Sequence, residues 1–263
     1  METSAVLHIA LSFVIAGTWI SLSTMAGERL GTRLGGLVTN LPSNILISLL
    51  FMALTRGSGY AAAATGSVPI GMSVDTLFLL VLIAFLPRGT GISLALALLA
   101  WLVGATAAIA LPPIGFGAGI ALYAVMCIAA FLVVDQGFKV RVVPKKALPF
   151  RVSTVVLRAL FAGGIVASAV AAAQYAPPYV TGILATFPAV LLSTMVILIR
   201  AQGPDFARAT GKVLLISSSN IIIYSIGVWF LFPPLGPWLG TLSSFAMAAL
   251  YISLFLPFMR RIR

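Results

Sequence analysis

Carboxylates are scarce in this sequence, and one of them stands out by its position. The 263 residues include only five Asp and Glu. Four of these lie at the ends of apolar segments or between them: Glu2, Glu28, Asp135 and Asp205. Asp75 falls near the middle of an apolar segment, where a charge costs roughly 2.5 to 3.5 kcal/mol on membrane-insertion scales. Asp75 is therefore the first candidate for chemistry, either as a proton or sodium site or as a structural carboxyl that hydrogen bonds or a helix cap satisfy.

Hydroxyl and amide side chains near Asp75 and in a second segment extend this candidate site. Pro69 and Gly71 precede Asp75 in a long apolar window (60–87) that favours a broken helix. A second long window (206–232) contains the run Ser217 to Asn220, whose side chains compete with regular helix for backbone hydrogen bonds. The predicted substrate- or ion-binding residues are Asp75, Asn220, Ser73, Thr76, Ser218 and Tyr224.

Two prolines lie inside predicted helices and could act as hinges. Pro42 and Pro188 each remove one backbone hydrogen bond, which would expose the carbonyl groups of Val38 and Leu184. The resulting kinks either serve alternating access or simply shape the packing of the helices. Polar residues expected to lie along the same path are Asn40, Asn44, Ser48, Thr186, Ser193 and Thr194.

Other kinds of chemistry find no support in the sequence. A single cysteine, Cys127, and a single histidine, His8, are too few for a disulfide framework or a Cys/His metal site. The sequence has no phosphate-binding loop, nucleophile elbow, zinc motif or dinucleotide fingerprint. We therefore expect a protein that is not an enzyme and that has neither a cofactor nor a metal.

The elements that must position these residues are membrane-spanning helices. The chain is 61% apolar and 8% charged, with a mean hydropathy of +1.15, whereas soluble domains are about 45–50% apolar and about 25% charged. Nine windows are candidate helices: 5–25, 34–54, 60–87, 91–111, 115–135, 153–174, 179–200, 206–232 and 236–258. The net charge of +11 is spread in small groups between these windows. This pattern favours a topology signal over nucleic-acid binding.

The basic residues predict the orientation of the helices. Counted over alternate loops, fourteen Lys and Arg fall on one side and only Arg56 on the other, with Arg158 inside the sixth window. Because basic loops stay in the cytoplasm, the N-terminus is predicted outside and the C-terminus inside.

The sequence also contains an internal repeat. The segment from Gly36 to Pro42 matches the segment from Gly182 to Pro188 at an offset of 146, and after a one-residue gap Asp75 aligns with Asn220. Each repeat would hold four helices, and the odd connector helix between them would invert the second repeat. The predicted organisation is repeat one in 1–112, a connector helix and basic loop in 113–152, and repeat two in 153–263.

The second half resembles the GlpM family of small bacterial inner-membrane proteins. The resemblance lies in the stretch from Pro178 to Pro188 and the polar turn to Asp205, and it covers roughly 178–258. It implies a four-helix unit in a multi-pass protein of the inner membrane, and supplies neither a substrate nor a catalytic residue. It also suggests that this chain is a fused pair of such units. Relatives with a single unit would then form the same arrangement as antiparallel dimers.

Two functions of different class remain. The first is a small secondary transporter or permease that works by alternating access, with Asp75 coupling to protons or sodium. The second is a lipid-active or accessory membrane protein, such as a flippase or scaffold, without ion coupling. A polar cavity at Asp75 and Asn220 would favour the first, and a lipid-facing aromatic groove would favour the second. The expected partners are the bilayer and an unidentified small solute or ion, with no nucleic acid; a homo-oligomer is one alternative for the assembly.

Overall fold

The computed structural model describes residues 3–29, 41–141 and 152–259. Its α-helices are α1 (Thr3–Arg29), α2 (Ser43–Arg56), α3 (Ser58–Thr65), α4 (Val68–Phe85), α5 (Thr90–Ala110), α6 (Phe116–Leu132), α7 (Val152–Ala172), α8 (Pro178–Ala185), α9 (Ala189–Gln202), α10 (Pro204–Ser217) and α11 (Ser219–Met259). A 3-10 turn (Leu86–Arg88) follows α4 and a π turn (Val133–Gly137) follows α6. No strand occurs within the described ranges.

Six helical segments are long and apolar enough to cross a membrane. They are Val68–Arg88, Thr90–Ala110, Phe116–Gly137, Val155–Ala172, Pro178–Gln202 and Pro204–Leu254. Two shorter apolar helices, Val6–Leu22 and Ser43–Arg56, accompany them. The faces of α5 and α6 carry exposed aliphatic side chains such as Leu102 and Val125, which lipid would cover. The chain is therefore an all-α membrane protein.

The two long windows are both broken, but at positions that the predicted repeat does not pair. The first break lies at Gly66 and Ser67, between α3 and α4, while Pro69 and Gly71 belong to the first turn of α4. The second break lies at Ser218, between α10 and α11. Ser218 aligns with Ser73 in the predicted repeat, whereas the first break lies at Gly66 and Ser67, so the two breaks do not fall at equivalent positions. Proline is tolerated in a first helical turn because no intrahelical bond is lost there.

A third break was not expected from the sequence. Thr186 and Phe187 separate α8 from α9, so Pro188 stands before a new helix and does not kink a continuous one. The Leu184 carbonyl is not exposed by this proline, because it accepts a hydrogen bond from the Phe187 amide at 3.1 Å. The physical reason is that the residue before a proline avoids helical geometry. Pro42 likewise directly precedes α2.

A hydroxyl group lies against the carbonyl of the third preceding residue at each of the three breaks. Ser67 Oγ lies 3.1 Å from the Ala64 oxygen, and Thr186 Oγ1 donates to the Ile183 oxygen at 2.7 Å. Ser218 Oγ lies 3.1 Å from the Leu215 carbonyl oxygen. Unpaired backbone groups are costly in a membrane, and at two of the breaks the hydroxyl adds to a backbone bond, because the carbonyls of Ala64 and Ile183 already accept the amides of Ser67 and Thr186.

The chain around Pro42 and the chain around Pro188 have the same local geometry. Pro42 has φ −78° and ψ 56°, and the next amide, Ser43 N, donates to Leu41 O at 2.8 Å. Pro188 has φ −76° and ψ 43°, and Ala189 N donates to Phe187 O at 2.7 Å. Both are inverse γ-turns, and each opens a helix of 14 residues.

The ends of α2 and α9 also correspond. α2 ends at Arg56 and is followed by Gly57 with φ 90° and ψ 157°, and α9 ends at Gln202 and is followed by Gly203 with φ 96° and ψ 168°. An L side chain rarely adopts a φ in this range, so glycine is required at both turns.

Helices α1 and α7 pack closely and run antiparallel. A Cβ atom placed on Gly17 would lie 3.1 Å from the Ala159 carbonyl oxygen, and one placed on Gly163 would lie 2.7 Å from the Phe13 carbonyl oxygen. The two contacts run in opposite directions along the helices, which makes the pair antiparallel. Small residues permit such close approach between helices in a membrane.

The last helix changes direction inside its length. α11 contains one non-helical residue, Gly236, with φ 71° and ψ 179°. The boundary expected between the windows 206–232 and 236–258 therefore falls at Gly236, because only glycine adopts this backbone conformation without strain.

Candidate functional site

A cavity of about 480 Å³ lies beside two of the three helix breaks, the one between α8 and α9 and the one between α10 and α11. Its walls come from Ile20 of α1, from the start of α2, from α4, from the α8–α9 break, from α9 and α10, and from the start of α11. The described residues that line it thus belong both to the first half of the chain and to the second. This volume lies in the range typical of small-molecule sites.

Asp75 lies in the wall of this cavity, and among the described residues one side chain donates a hydrogen bond to it. The side chain is 5% exposed, and Trp101 Nε1 donates to Asp75 Oδ1 at 2.9 Å. Trp101 comes from α5, and its ring lies edge-on to Phe187 with the centroids 4.8 Å apart. Phe187 itself lines the cavity. The carboxylate is therefore oriented by an indole that is itself held against the α8–α9 break.

Asn220 and Ser218 line the same cavity from the second half of the chain. Asn220 is 2% exposed at the start of α11, and Ser218 forms the break before it. Ser218 Oγ lies 3.3 Å from the Tyr123 hydroxyl of α6. Cys127, one turn further along α6, donates from Sγ to Leu215 O at 3.1 Å. Helix α6 thus supports the break that carries Ser218.

Three of the six predicted binding residues do not line the cavity. The Ser73 hydroxyl donates to Pro69 O and the Thr76 hydroxyl donates to Met72 O, both at 2.9 Å, within α4. Tyr224 is fully buried, with its hydroxyl beside Thr241. Ser73 and Thr76 use their hydroxyl groups within α4, and Tyr224 is buried outside the cavity lining. The structure therefore brings together only Asp75, Asn220 and Ser218 of the predicted set.

The two predicted hinge prolines do meet at this cavity. Pro42 and Pro188 both line it, at the starts of α2 and α9. Of the neighbouring polar residues predicted on the path, four also line it: Asn44, Thr186, Ser193 and Thr194. Ser48 is buried away from it, and Asn40 lies outside the described residues. The role of the prolines as hinges stays a prediction.

Sequence reasoning missed Trp101 as the partner of Asp75. A signal was present, since tryptophan usually lies at the membrane interface, where its N–H meets water, while Trp101 lies mid-helix in α5. An indole N–H in that position needs an acceptor, and the adjoining helix contains one mid-span carboxylate.

Charge at the site comes from Asp75 alone among the residues described. No Lys or Arg occurs among the described lining residues. Lys212 of α10 is 8% exposed but points elsewhere, with Nζ 2.6 Å from Asp135 Oδ1 and 3.4 Å from Val140 O. Within the described ranges no three His, Cys, Asp or Glu side chains are grouped to hold a metal ion. Asp75 is thus an acidic group in a mixed polar and apolar cavity.

Comparisons with protein-family models, with curated proteins and with solved structures find no match for this chain. Its function is therefore inferred from the geometry of the site.

Proposed function

We propose that the protein is a small secondary transporter built as an inverted repeat, with the cavity at Asp75 as its transport site. The single observation that carries the proposal is that one cavity contains the mid-span carboxylate, its repeat partner Asn220, and both repeat-related prolines. Inverted-repeat transporters bind substrate and coupling ions at the interface of their repeats, beside discontinuous helices.

The packing of α1 on α7 supports the inverted repeat. At the repeat offset, Gly17 corresponds to Gly163 and Phe13 to Ala159. Gly17 approaches the Ala159 carbonyl, and its counterpart Gly163 approaches the Phe13 carbonyl. Such reciprocal contacts are the mark of an interface on a two-fold axis, and the antiparallel course of α1 and α7 requires that axis to lie in the membrane plane.

Contacts between helix ends support the alternation of nine spans. Three long-range hydrogen bonds join such ends: Arg56 Nη1 to Ala173 O at 2.8 Å, Tyr179 Oη to Ala108 O at 3.2 Å, and Arg208 Nε to Ile83 O at 3.1 Å. The basic-residue pattern predicts both members of the first two pairs outside and both members of the third inside. We therefore propose nine spans in the inner membrane, the N-terminus outside and the C-terminus cytoplasmic.

Asp75 provides the coupling in this proposal. A carboxylate at membrane depth is costly when charged, and a bound proton or cation offsets that cost. Binding or release of this ion would then change the side of the membrane to which the cavity opens. Pro42 and Pro188 would lie at the ends of α2 and α9 that move. The single-unit GlpM-like relatives would need to pair to build an equivalent site.

Cysteine accessibility tests alternating access without a known substrate. In a Cys127→Ala background, Thr194→Cys places a thiol in the cavity wall. A membrane-impermeant maleimide is applied from either side of oriented vesicles, with and without a proton or sodium gradient. We expect labelling from both sides at rates that the gradient shifts, and loss of that shift in Asp75→Asn.

Two matched variants control the sidedness of this labelling. Gly59→Cys is exposed on the predicted outer side, and Asp205→Cys is exposed on the predicted inner side. Each should react from one side only. Labelling of Thr194→Cys from a single side, unmoved by either gradient, would argue against transport and for the lipid-active or scaffold alternative.

A further inference from the structure

The described part of the cavity wall has one charged group, and it is acidic. Asp75 is its one charged residue, and neither Lys nor Arg lies among the described lining residues. A buried anion without a counter-charge costs several kcal/mol. An anionic solute would add a second negative charge beside the first, whereas a cation would neutralise it.

The carboxylate of Asp75 also has capacity left for a ligand. Among the described residues, Trp101 is its one hydrogen-bond donor, through Oδ1. An ionised carboxylate has about four acceptor sites on its two oxygens. Trp101 fixes the direction of the group and leaves Oδ2 for a charged or hydrogen-bonding partner in the cavity.

The two ends of the cavity differ in polarity. Helix α10 lines it from Phe206 to Ser217, a rise of about 16 Å at 1.5 Å per residue. The end at the helix breaks contains Asp75, Ser217 and Asn220. Towards the turn between α9 and α10 the lining includes the apolar residues Leu198 and Phe206, with the hydroxyl of Thr210 one turn further along α10.

From these three features we infer that the cavity binds an amphipathic organic cation. Its charged group would lie beside Asp75 and its apolar part would extend along α10 towards Phe206. This inference rests on the proposed transport site and adds the chemical class of its substrate. An elongated site with one charged end and one apolar end suits such a molecule better than a bare inorganic ion, which would leave the apolar surface without a partner.

Two hydrophobic ions of the same shape and opposite charge test the inference. Tetraphenylphosphonium and tetraphenylborate are measured for saturable binding to the full chain in nanodiscs, with excess unlabelled ion to subtract partitioning into lipid. We expect tetraphenylphosphonium to bind and tetraphenylborate to show no saturable binding. Asp75→Asn should weaken the binding of the cation by about tenfold or more, equivalent to about 1.4 kcal/mol. Equal binding of both ions, or an unchanged affinity in Asp75→Asn, would overturn the inference.

A second pair of variants tests the location of the apolar part and does not depend on Asp75. Leu214→Trp adds bulk to the cavity wall, whereas Leu239→Trp enlarges a side chain on α11 that is 60% exposed. The first should abolish saturable tetraphenylphosphonium binding, and the second should leave it unchanged. Retained binding in Leu214→Trp would place the cation elsewhere and refute the site. Thermal unfolding of each variant checks that it folds.

The outcomes separate this inference from the proposed function. If the maleimide rates at Thr194→Cys respond to an ion gradient while tetraphenylphosphonium does not bind, transport stands and the substrate class is wrong. If tetraphenylphosphonium binds through Asp75 while the maleimide reacts from one side only, the binding site stands and alternating access is wrong.

Discussion

Trp101 Nε1 lies 2.9 Å from Asp75 Oδ1 and joins α5 to the mid-span carboxylate of α4. The same indole lies edge-on to Phe187, in the break between α8 and α9. Through Trp101, the orientation of the carboxylate is linked to a discontinuous helix from the other half of the chain. This linkage makes the indole a positioning group for the site.

Trp101→Phe should destabilise the protein while keeping most of its contact with Phe187. The lost hydrogen bond leaves a buried carboxylate oxygen without its donor, at a cost of about 1–3 kcal/mol. Trp238→Phe is the matched control because Trp238 is 67% exposed and should change stability by less than about 0.5 kcal/mol. Chemical denaturation in detergent measures both. Equal effects at the two positions would contradict the role assigned to Trp101.

Gly71→Ala should disturb the crossing between α4 and the α8–α9 break. A Cβ atom at Gly71 would overlap Thr186 Oγ1 and lie 3.0 Å from its Cγ2. Overpacking of this kind costs about 1–3 kcal/mol, which exceeds the gain of about 1 kcal/mol from replacing a helical glycine. Gly91→Ala meets no atom within 4 Å and should be neutral or stabilising. Melting temperatures of the two variants distinguish these outcomes, and a stabilised Gly71→Ala would show that the crossing is loose.

Gly163→Ala and Gly164→Ala form an adjacent pair that tests the contact between α1 and α7. A Cβ atom at Gly163 would lie 2.7 Å from the Phe13 carbonyl oxygen, whereas one at Gly164 meets nothing within 4 Å. The first variant should therefore lose about 1–3 kcal/mol and the second should gain up to about 1 kcal/mol. The measurement is unfolding free energy in the same detergent. The reverse order would place α7 in a different rotation against α1.

Removing Asp135 and removing Lys212 from their ion pair should lower the free energy of unfolding by different amounts. The Lys212 side chain is 8% exposed and the Asp135 side chain is 40% exposed. Asp135→Asn leaves a buried ammonium group without its counter-charge and should cost about 1–3 kcal/mol after allowance for the exposure of Asp135. Lys212→Met leaves a carboxylate that water can reach and should cost less. The measurement is the free energy of unfolding of each variant. A larger decrease in Lys212→Met than in Asp135→Asn would mean that the packing of Lys212 contributes more to stability than its charge.

Reporter fusions should place the basic loop from Lys139 to Arg151 and the C-terminus in the cytoplasm. Fusions at Pro112, Pro177 and Pro233 should report from the outer side. The expectation follows from fourteen basic residues on one side against Arg56 on the other. A cytoplasmic signal from the fusion at Pro177 would overturn the alternation of spans and the inverted repeat with it.

The sequence by itself determined the helical class and most helix positions, because the need to bury about 20 apolar residues per span leaves few alternatives. It also singled out Asp75 and Asn220, since a mid-span polar group is rare enough to be noticed in one sequence. It predicted that Pro42 and Pro188 correspond, and both line the one cavity that also contains Asp75.

Only the tertiary structure decided which polar groups face that cavity. Ser73 and Thr76 flank Asp75 in sequence, yet their hydroxyls donate to carbonyl groups of their own helix. A hydroxyl can satisfy itself locally in this way, whereas a carboxylate must find a donor elsewhere. Helical rotation and interhelical contact therefore determine the partner of Asp75, and Trp101, which lies 26 residues away in the chain, becomes its neighbour only when α4 and α5 pack together.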